Sequence, residues 1–359
     1  MTARPTRVLI VDDSAIVRKM LGDALRREPD IEVVGGAADP FVARDMILRL
    51  EPDVLTLDVE MPRMDGVTFL RKLMAHRPMP VIIVSSVTTS GSRASLEALR
   101  AGAVEVIAKP GGPADVAQVT SRVVACIRGL RAGFRPRSLP HPGAAPEPAR
   151  TIVDAPGFRT GGLLVIGAST GGTQAIETLL TRLPPDMPPI CITQHMPPKF
   201  TRAFAERLDG LCALRVVEAT HGQRLQRGTV FIAPGDYHLR VERFGLELRT
   251  HLDQDPPVCH QRPSVDVLFH SAARLQGLPR VGVLLTGMGS DGADGMVALR
   301  SSGAETIAED ERSCVVFGMP REAILRGGAT HVATLLRMPQ LIGAAFERLA
   351  AGQTVRAGT

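Results

Sequence analysis

The stretch Leu163-Leu-Val-Ile-Gly-Ala-Ser-Thr-Gly-Gly-Thr173 joins an apolar run to a serine that is flanked by glycines. This order predicts a buried strand, a tight turn and a helix, which is the repeating unit of an α/β fold. Within it, Gly167-Ala-Ser169-Thr-Gly171 has the spacing G-x-S-x-G, in which small neighbours let the turn lift a serine hydroxyl clear of the sheet. We therefore expect an α/β domain in which this first turn exposes a serine hydroxyl beyond the end of the strand.

The turn around Ser169 fits more than one role. A serine in such a turn can act as a nucleophile. The same glycines can instead cradle an anion, because unpaired backbone N–H groups at the start of a helix attract negative charge. The motif alone leaves a nucleophile, an anion-binding loop and a plain tight turn open, so residues elsewhere in the chain must decide.

Two later strands carry the partners that a nucleophile needs. The pattern of residues 189–195 predicts a strand with His195 at its carboxyl end, and residues 280–286 predict a buried strand that leads into the loop containing Asp291. Parallel strands end at one rim, so we expect Ser169, His195 and Asp291 to lie together there. A nucleophile, its base and an orienting carboxylate have these residue types.

Other chemistries fit the second half of the chain less well. Its order of serine, histidine and aspartate differs from the order of serine, acid and histidine in α/β-hydrolases. Its glycines do not match G-x-G-x-x-G, so a dinucleotide site is disfavoured. Its histidines form no H-E-x-x-H or similar cluster, and we expect no metal or other cofactor for the hydrolytic chemistry.

The first 128 residues show their own alternation of apolar strands and helical patterns, which predicts a parallel sheet covered on both faces. Polar residues follow several of these strands: Asp12, Asp13, Asp58, Ser85 and Lys109. Clustered carboxylates repel one another unless a hard cation binds them, and Mg²⁺ prefers such oxygen ligands. With the metal bound, one carboxylate can accept a phosphoryl group, whose oxygens a lysine and a hydroxyl can hold.

Length and composition limit the remaining possibilities. A chain of 359 residues is long enough for two domains. No apolar run reaches the length of a membrane span and the start lacks a signal peptide, so we expect a cytoplasmic protein without membrane insertion. The net charge of +5 comes without a basic block, so we expect no nucleic-acid partner. Five scattered cysteines predict buried, reduced thiols.

The domain boundaries follow from these patterns. We predict a first domain over residues 1–128, a Pro/Arg-rich linker over 129–161, a second domain over 162–350 and a tail over 351–359. The fold class is α/β with two doubly wound parallel sheets. Alternation on both sides of residues 243–245 adds a β-hairpin to the second domain.

The first domain resembles a response-regulator receiver domain, which has a flavodoxin-like fold. The matching motifs are Asp12-Asp-Ser, Leu57-Asp-Val-Glu-Met-Pro-Arg-Met-Asp-Gly66, Val84-Ser-Ser and Lys109-Pro110. The resemblance implies that Asp58 is the phosphoacceptor and that a chemotaxis-type histidine kinase is the phosphodonor. It also implies that Mg²⁺ is held by Asp12, Asp13, Asp58 and the backbone carbonyl of Glu60. Ser85 is then the switch hydroxyl, and Lys109 contacts the phosphate.

The second domain resembles the Rossmann-like catalytic domain of the CheB family of chemotaxis protein-glutamate methylesterases. The matching motifs are Ile166-Gly-Ala-Ser-Thr-Gly-Gly-Thr173, Gln194-His-Met-Pro197, Ala233-Pro-Gly235, Arg262-Pro-Ser-Val-Asp266, Leu285-Thr-Gly-Met-Gly-Ser-Asp-Gly-Ala293 and Val316-Phe-Gly-Met-Pro-Arg-Glu322. The resemblance implies a triad of Ser169, His195 and Asp291. It places Met288 and Gly289 in the oxyanion-hole loop and Thr170 beside the nucleophile.

The two resemblances together imply a phosphorylation-activated hydrolase of the cytoplasm. Its substrates would be the γ-glutamyl methyl esters of chemoreceptor cytoplasmic domains, with deamidation of receptor glutamines as a second activity. A receiver fused to a DNA-binding output would need a helix-turn-helix and a basic face, and the strand-rich alternation of the second half argues against it. A phosphorylation-dependent interaction scaffold with an inactive triad stays open.

Overall fold

The computed structural model describes residues 4–86, 88–110, 115–131 and 152–352. The chain divides into two compact units, Met1–Ala145 and Pro146–Thr359. Each unit is built around its own parallel sheet, and the predicted α/β class with two doubly wound sheets is confirmed.

The first unit has a parallel sheet in the order β2-β1-β3-β4-β5 across its described residues. Its strands are β1 (Thr6–Val11), β2 (Ile31–Ala37), β3 (Val54–Leu57), β4 (Val81–Ser85) and β5 (Glu105–Ala108). Its helices are α1 (Ala15–Leu25), α2 (Pro40–Leu50), α3 (Gly66–His76), α4 (Thr89–Arg100) and α5 (Val116–Arg131). α1 packs against α5 and α3 against α4. The strand order reverses between β1 and β3, and ligands of such sheets bind beyond the carboxyl ends of the strands at this point.

Short polar side chains begin the helices of the first unit. Ser14 accepts a hydrogen bond from the amide of Val17, and Asp39 accepts from the amides of Phe41 and Val42. A side-chain oxygen at this position satisfies N–H groups that have no partner within the helix. These caps fix the points where the chain, after the carboxyl end of a strand, begins the helix that runs back along the sheet.

The second unit has a parallel sheet in the order β14-β13-β12-β6-β7-β9-β8 across its described residues, with an antiparallel β10–β11 hairpin apart from it. Its strands are β6 (Leu163–Ala168), β7 (Ile190–Gln194), β8 (Arg215–Glu218), β9 (Thr229–Ile232), β10 (His238–Phe244), β11 (Glu247–Asp253), β12 (Arg280–Leu284), β13 (Glu305–Glu309) and β14 (His331–Ala333). Its helices are α6 (Gly172–Leu180), α7 (Phe200–Asp209), α8 (Val265–Ala273), α9 (Ala293–Ser301), α10 (Met319–Leu325) and α11 (Met338–Ala350). The predicted hairpin is present.

The core of the second unit explains why its strands read as continuous apolar runs. Every residue of β6, β7 and β12 is buried, because helices cover both faces of the sheet. One side of this core packs Phe231, Phe269, Leu284 and Met296 together. Packing of α8 against α9 on this face brings the start of α8 close to the loop that precedes α9.

Both ends of the predicted linker differ from the expectation. α5 continues to Arg131, and Arg128 pairs with Glu28 and Asp30. Near the other end, Pro156–Arg159 forms a short 3-10 helix in which Phe158 is fully buried. An aromatic side chain of this size gains more by packing than by staying in a solvated tether. Residues 132–151 of the predicted linker and 353–359 of the predicted tail lie outside the described residues.

The cysteines are free thiols, but they are not all buried as expected. Cys126, Cys191 and Cys314 are buried, Cys212 is half-buried, and Cys259 is exposed. Cys259 is exposed because it lies in the connection between β11 and α8, outside the sheet and its covering helices. None of the helices in the described ranges combines the length and apolar character that a bilayer crossing requires.

Candidate active site and phosphorylation site

Ser169 lies in the turn between β6 and α6. Gly171 has a φ of +78°, a left-handed conformation that glycine adopts without the strain of a side chain. The Ser169 amide donates to the carbonyl of Thr286 (3.0 Å), and the Ser169 carbonyl accepts from the amide of Gly172 (2.7 Å). The buried Gln194 side chain also donates to the Ser169 carbonyl through Nε2 (2.9 Å). The backbone of the serine is therefore held from three sides.

The structure brings Ser169, His195 and Asp291 together. His195 follows β7 directly, and its Nδ1 lies 3.1 Å from Ser169 Oγ. Its Nε2 lies 2.7 Å from Asp291 Oδ2, and all three side chains are buried. An ionised carboxylate only accepts hydrogen bonds, so Nε2 carries the proton and Nδ1 is left to accept from the serine hydroxyl. In the usual Ser-His-Asp triad, Nε2 faces the serine and Nδ1 faces the aspartate. The two ring nitrogens of His195 make the reverse contacts.

Asp291 is held by more donors than the histidine alone. Its Oδ2 also accepts from the amide of Val265 (2.7 Å), and its Oδ1 accepts from Ser264 Oγ (2.7 Å) and the amide of Asp266 (3.0 Å). Burial raises the pKa of Asp291, but hydrogen bonds and charge from His195, with help from these donors, outweigh it and leave the pKa below its usual value. Asp291 is therefore ionised at neutral pH and can orient the imidazole.

Asp266 is a second buried carboxyl beside Asp291. Its Oδ1 accepts from the amide of Gly295 (2.7 Å), and its Oδ2 lies 3.9 Å from Cys259 Sγ. Burial, aided by the charge of Asp291, raises the pKa of Asp266 to about 6. Cys259, Asp266 and Asp291 bring possible metal-ligand atoms within 4.8 Å of one another. Both oxygens of Asp291 already accept hydrogen bonds, so this arrangement supports the histidine and leaves no free position on Asp291 for an ion.

The loop after β12 lies against the serine. A Cβ added to Gly287 would come within 2.8 Å of Ser169 Cβ, so only glycine fits this close approach. Met288 follows half-buried, and Gly289 is exposed with a φ of +85°. Among the described residues, neither Met288 nor Gly289 uses its amide in a hydrogen bond. Thr170 is buried, and its carbonyl accepts from Thr286 Oγ1 (2.9 Å).

In the first unit, the predicted polar residues meet at the carboxyl ends of β1, β3 and β5. Lys109 Nζ lies 2.8 Å from both Asp12 Oδ2 and Asp58 Oδ2. Burial raises the pKa of Asp12 and of Asp58 even though Lys109 opposes it. Asp13 is exposed and completes a group of three carboxylates whose oxygens lie within 4.8 Å. Ionised carboxylates this close to one another repel. A hard divalent cation that binds their oxygens offsets this repulsion.

Two further predicted residues lie at the same rim. Ser85 Oγ is fully buried and has no hydrogen-bond partner within the described ranges, so its hydroxyl is available to a group placed beside Asp58. The Glu60 amide donates to Asp58 Oδ1 (3.2 Å), and the Glu60 carboxylate accepts from Ser86 and Thr88. The metal contact predicted for the Glu60 carbonyl stays a prediction.

Sequence reasoning assigned no role to several residues that support the candidate active site. They are Gln194, His238, Ser264, Asp266 and Thr286. Ser264 and Asp266 belong to the motif Arg262-Pro-Ser-Val-Asp266, and polar residues at the start of a predicted helix are the sequence signal that points to them. Gln194 precedes the predicted histidine in a strand and carried no such signal.

Comparison with known proteins gives the same two units. The CheB methylesterase family matches residues 164–342, and the response regulator receiver domain family matches residues 8–121. Protein-glutamate methylesterase/protein-glutamine glutaminase 1 of Cupriavidus metallidurans is 51% identical over 345 residues, which cover 95% of this chain and 96% of the relative. The corresponding Chromohalobacter salexigens protein is 50% identical over 94% of this chain and 96% of its own length. The crystal structure of the Thermotoga maritima CheB methylesterase catalytic domain matches with a TM-score of 0.50 and 38% identity, covering 52% of this chain and 98% of that chain.

Proposed function

The chain belongs to the CheB family of protein-glutamate methylesterases with a receiver domain, and from this we propose that it demethylates chemoreceptors by a Ser-His-Asp mechanism under the control of phosphorylation. The substrates we propose are γ-glutamyl methyl esters on receptor cytoplasmic domains, and the proposed location of the protein is therefore the cytoplasm. The observation that carries the proposal is the buried hydrogen-bonded series Ser169, His195 and Asp291.

The proposed reaction begins with Ser169. Its Oγ attacks the ester carbonyl carbon while His195 Nδ1 takes the hydroxyl proton, and Asp291 stabilises the resulting imidazolium through Nε2–H. The tetrahedral intermediate collapses, the C–O bond to the methoxy group breaks, and the imidazolium gives its proton to the leaving methanol. Water then attacks the acyl-enzyme with His195 as base, which releases glutamate and restores Ser169. Attack on a glutamine amide by the same steps releases ammonia.

The negative charge that develops on the carbonyl oxygen needs donors beside Ser169. We assign this role to the backbone N–H groups of Met288 and Gly289, because their loop lies against the serine and these two amides make no other hydrogen bond in the described part of the chain. One donor of this kind is typically worth about 3 to 4 kcal/mol in the transition state. Thr170, which is buried and follows the nucleophile in the chain, is the third residue that we assign to this part of the site. The reaction needs no cofactor.

The proposed control lies in the receiver domain. Asp58 accepts a phosphoryl group from a chemotaxis-type histidine kinase, and Lys109 and Ser85 contact its oxygens. Mg²⁺ fits the three close carboxylates and would be held by Asp12, Asp13, Asp58 and the Glu60 carbonyl. Bound there, the cation would supply positive charge that offsets the repulsion between these carboxylates and an incoming phosphoryl group. Phosphorylation changes the free-energy difference between a resting and an active state of the protein. It thereby raises the fraction of molecules in the active state.

The test is methanol release from methylated receptor membranes, with and without Mg²⁺ and a small-molecule phosphodonor. We expect release by the wild type and at least about a thousandfold less by Ser169→Ala, because the nucleophile is lost. Ser271→Ala removes another buried serine hydroxyl in the same domain and is the matched control. Equal release by wild type and Ser169→Ala would rule out the proposed mechanism.

A further inference from the structure

The hydrogen bonds around Asp291 continue beyond the three predicted residues, into a motif that sequence reasoning left without a role. Ser264 is fully buried, and its hydroxyl donates to Asp291 Oδ1 at 2.7 Å. This oxygen lies on the other side of the carboxylate from Oδ2, which faces His195. Ser264 therefore acts on the half of Asp291 that the imidazole does not touch.

The position of Ser264 in the chain makes this contact unusual. Ser264 is the N-cap of α8, where a serine hydroxyl ordinarily accepts from the amides of the first turn. Here it makes no such bond, and Asp291 accepts from the amides of Val265 and Asp266 instead. The carboxylate from another loop caps the helix, so the serine hydroxyl is free to orient that carboxylate.

His238 holds Ser264 from behind. It is fully buried, its Nδ1 accepts from the Ser264 amide (3.2 Å), and its Nε2 lies 3.2 Å from the carbonyl of Pro256. An amide only donates and a carbonyl only accepts, so the network assigns a neutral ring with its proton on Nε2. Because the Ser264 amide cannot accept and the Pro256 carbonyl cannot donate, only one tautomer of His238 satisfies both contacts. This tautomer holds the backbone of Ser264 in place.

We propose that Ser264 is a positioning residue for the esterase reaction and that His238 anchors it. One series of hydrogen bonds then runs from the Pro256 carbonyl through His238, Ser264, Asp291 and His195 to the Ser169 hydroxyl. Without the Ser264 hydroxyl, Oδ1 keeps only the Asp266 amide as donor, and the carboxylate can rotate away from the geometry that holds His195. The inference rests on the proposed function for its kinetic consequences.

The first test is Ser264→Ala. Loss of a hydrogen bond to a charged group predicts a kcat for methanol release about tenfold lower, with KM within about twofold, because the substrate is still bound. Ser271→Ala is the control, since Ser271 lies on the same helix and its hydroxyl donates to the Leu268 carbonyl and accepts from the Val241 amide, and in the described part of the chain it bonds to no residue of the triad. The control is expected to change the melting temperature without changing kcat.

A pair of His238 variants tests the anchor and remains informative if Ser264→Ala does not fold. His238→Asn keeps an oxygen where Nδ1 accepts from the Ser264 amide, whereas His238→Gln keeps a donor that reaches the Pro256 carbonyl. Positioning through Ser264 predicts that the Asn variant stays within about threefold of the wild-type kcat while the Gln variant loses about tenfold. Equal losses in both variants would contradict the anchor.

A readout without substrate separates this inference from the proposed function. The His195 Nε2–H that donates to Asp291 is expected to give a downfield proton NMR signal in the wild type and in Ser271→Ala. We expect Ser264→Ala to shift it or broaden it by exchange with water. An unchanged signal together with a kcat within about twofold of the wild type would overturn the inference. If the wild type shows no serine-dependent release, the proposed function fails and the signal alone decides the role of Ser264.

Discussion

At the scale of single residues, the candidate active site depends on how each polar atom is used. His195 donates from Nε2 to Asp291 and accepts at Nδ1 from the Ser169 hydroxyl, and both carboxylate oxygens of Asp291 accept hydrogen bonds. Each buried donor or acceptor of the triad therefore has a partner, which avoids the cost of an unsatisfied buried group. The same full use of partners fixes the ring in one orientation.

The buried carboxyl of Asp266 lowers the free energy of unfolding when it is ionised. In the unfolded chain its carboxyl takes up a proton near pH 3.8, whereas burial raises its pKa to about 6 in the folded protein. The folded state therefore binds more protons than the unfolded state between these values, and this residue makes stability fall as the pH rises through that window.

We accordingly predict that Asp266→Asn melts a few degrees above the wild type at about pH 8 and that the difference shrinks toward about pH 5. Thermal unfolding at both values of pH measures it. Asp154→Asn changes an exposed carboxyl away from Asp266 in the chain and should differ little from the wild type at either pH, since surface ion pairs such as its contact with Arg159 contribute little. A difference that does not change with pH would contradict the assignment to Asp266.

At the scale of elements, the order of the strands creates the rim. β6 lies between β12 and β7, so the turns that follow these three strands are neighbours. The turn after β6 carries Ser169, the residue after β7 is His195, and the loop after β12 leads to Asp291. α8 closes the arrangement, because its first amides and its N-cap meet Asp291.

Gly171 tests the contribution of the tight turn. Alanine there would need a left-handed φ of +78°, and its Cβ would come within 2.6 Å of Val315 Cβ. We expect Gly171→Ala to lower the free energy of unfolding by about 1 to 2 kcal/mol and to lower kcat as well, since the turn positions Ser169. Denaturant unfolding and methanol release measure the two effects.

Gly161→Ala is the control for this substitution. It lies just before β6, has no positive φ, and its added Cβ would meet nothing within 4 Å. It should therefore leave stability and kcat near their wild-type values. If Gly171→Ala behaves like Gly161→Ala, the turn tolerates a side chain and our account of it is wrong.

At the scale of the whole molecule, two α/β units each place their polar residues beyond the carboxyl ends of parallel strands. In the first unit these residues suit a cation and a phosphoryl group, and in the second they suit attack on an ester. Both sites use the same property of parallel sheets, which leave a crevice where neighbouring loops diverge. The proposed regulation links a covalent change in the first unit to a rate in the second.

This link predicts the behaviour of Asp58→Asn. If phosphorylation of Asp58 activates the esterase, a phosphodonor with Mg²⁺ should raise methanol release by the wild type about tenfold or more, which requires a differential of only about 1.4 kcal/mol between states. Asp58→Asn should show no such rise. Asp45→Asn, an exposed carboxylate on α2, should respond as the wild type does. An unreduced response in Asp58→Asn would place the phosphoryl group elsewhere or separate it from the activity.

The amino-acid sequence by itself determined the alternation of strands and helices, the two α/β units, the family, and the side chains at the strand ends. These are local properties, since periodicity and turn chemistry act over a few neighbouring residues. It did not determine that Phe158 packs as part of the second unit. That contact depends on which distant helix covers it.

Only the tertiary structure decided which nitrogen of His195 faces Ser169 and which groups hold Asp291. Ser264 and His238 lie 26 residues apart in the chain, and Ser264 lies 27 residues from Asp291. The packing of α8 against the loop before α9 brings them together, and no local pattern encodes such a contact. The residue types were readable from the sequence, but their hydrogen-bond partners follow from strand order and helix packing.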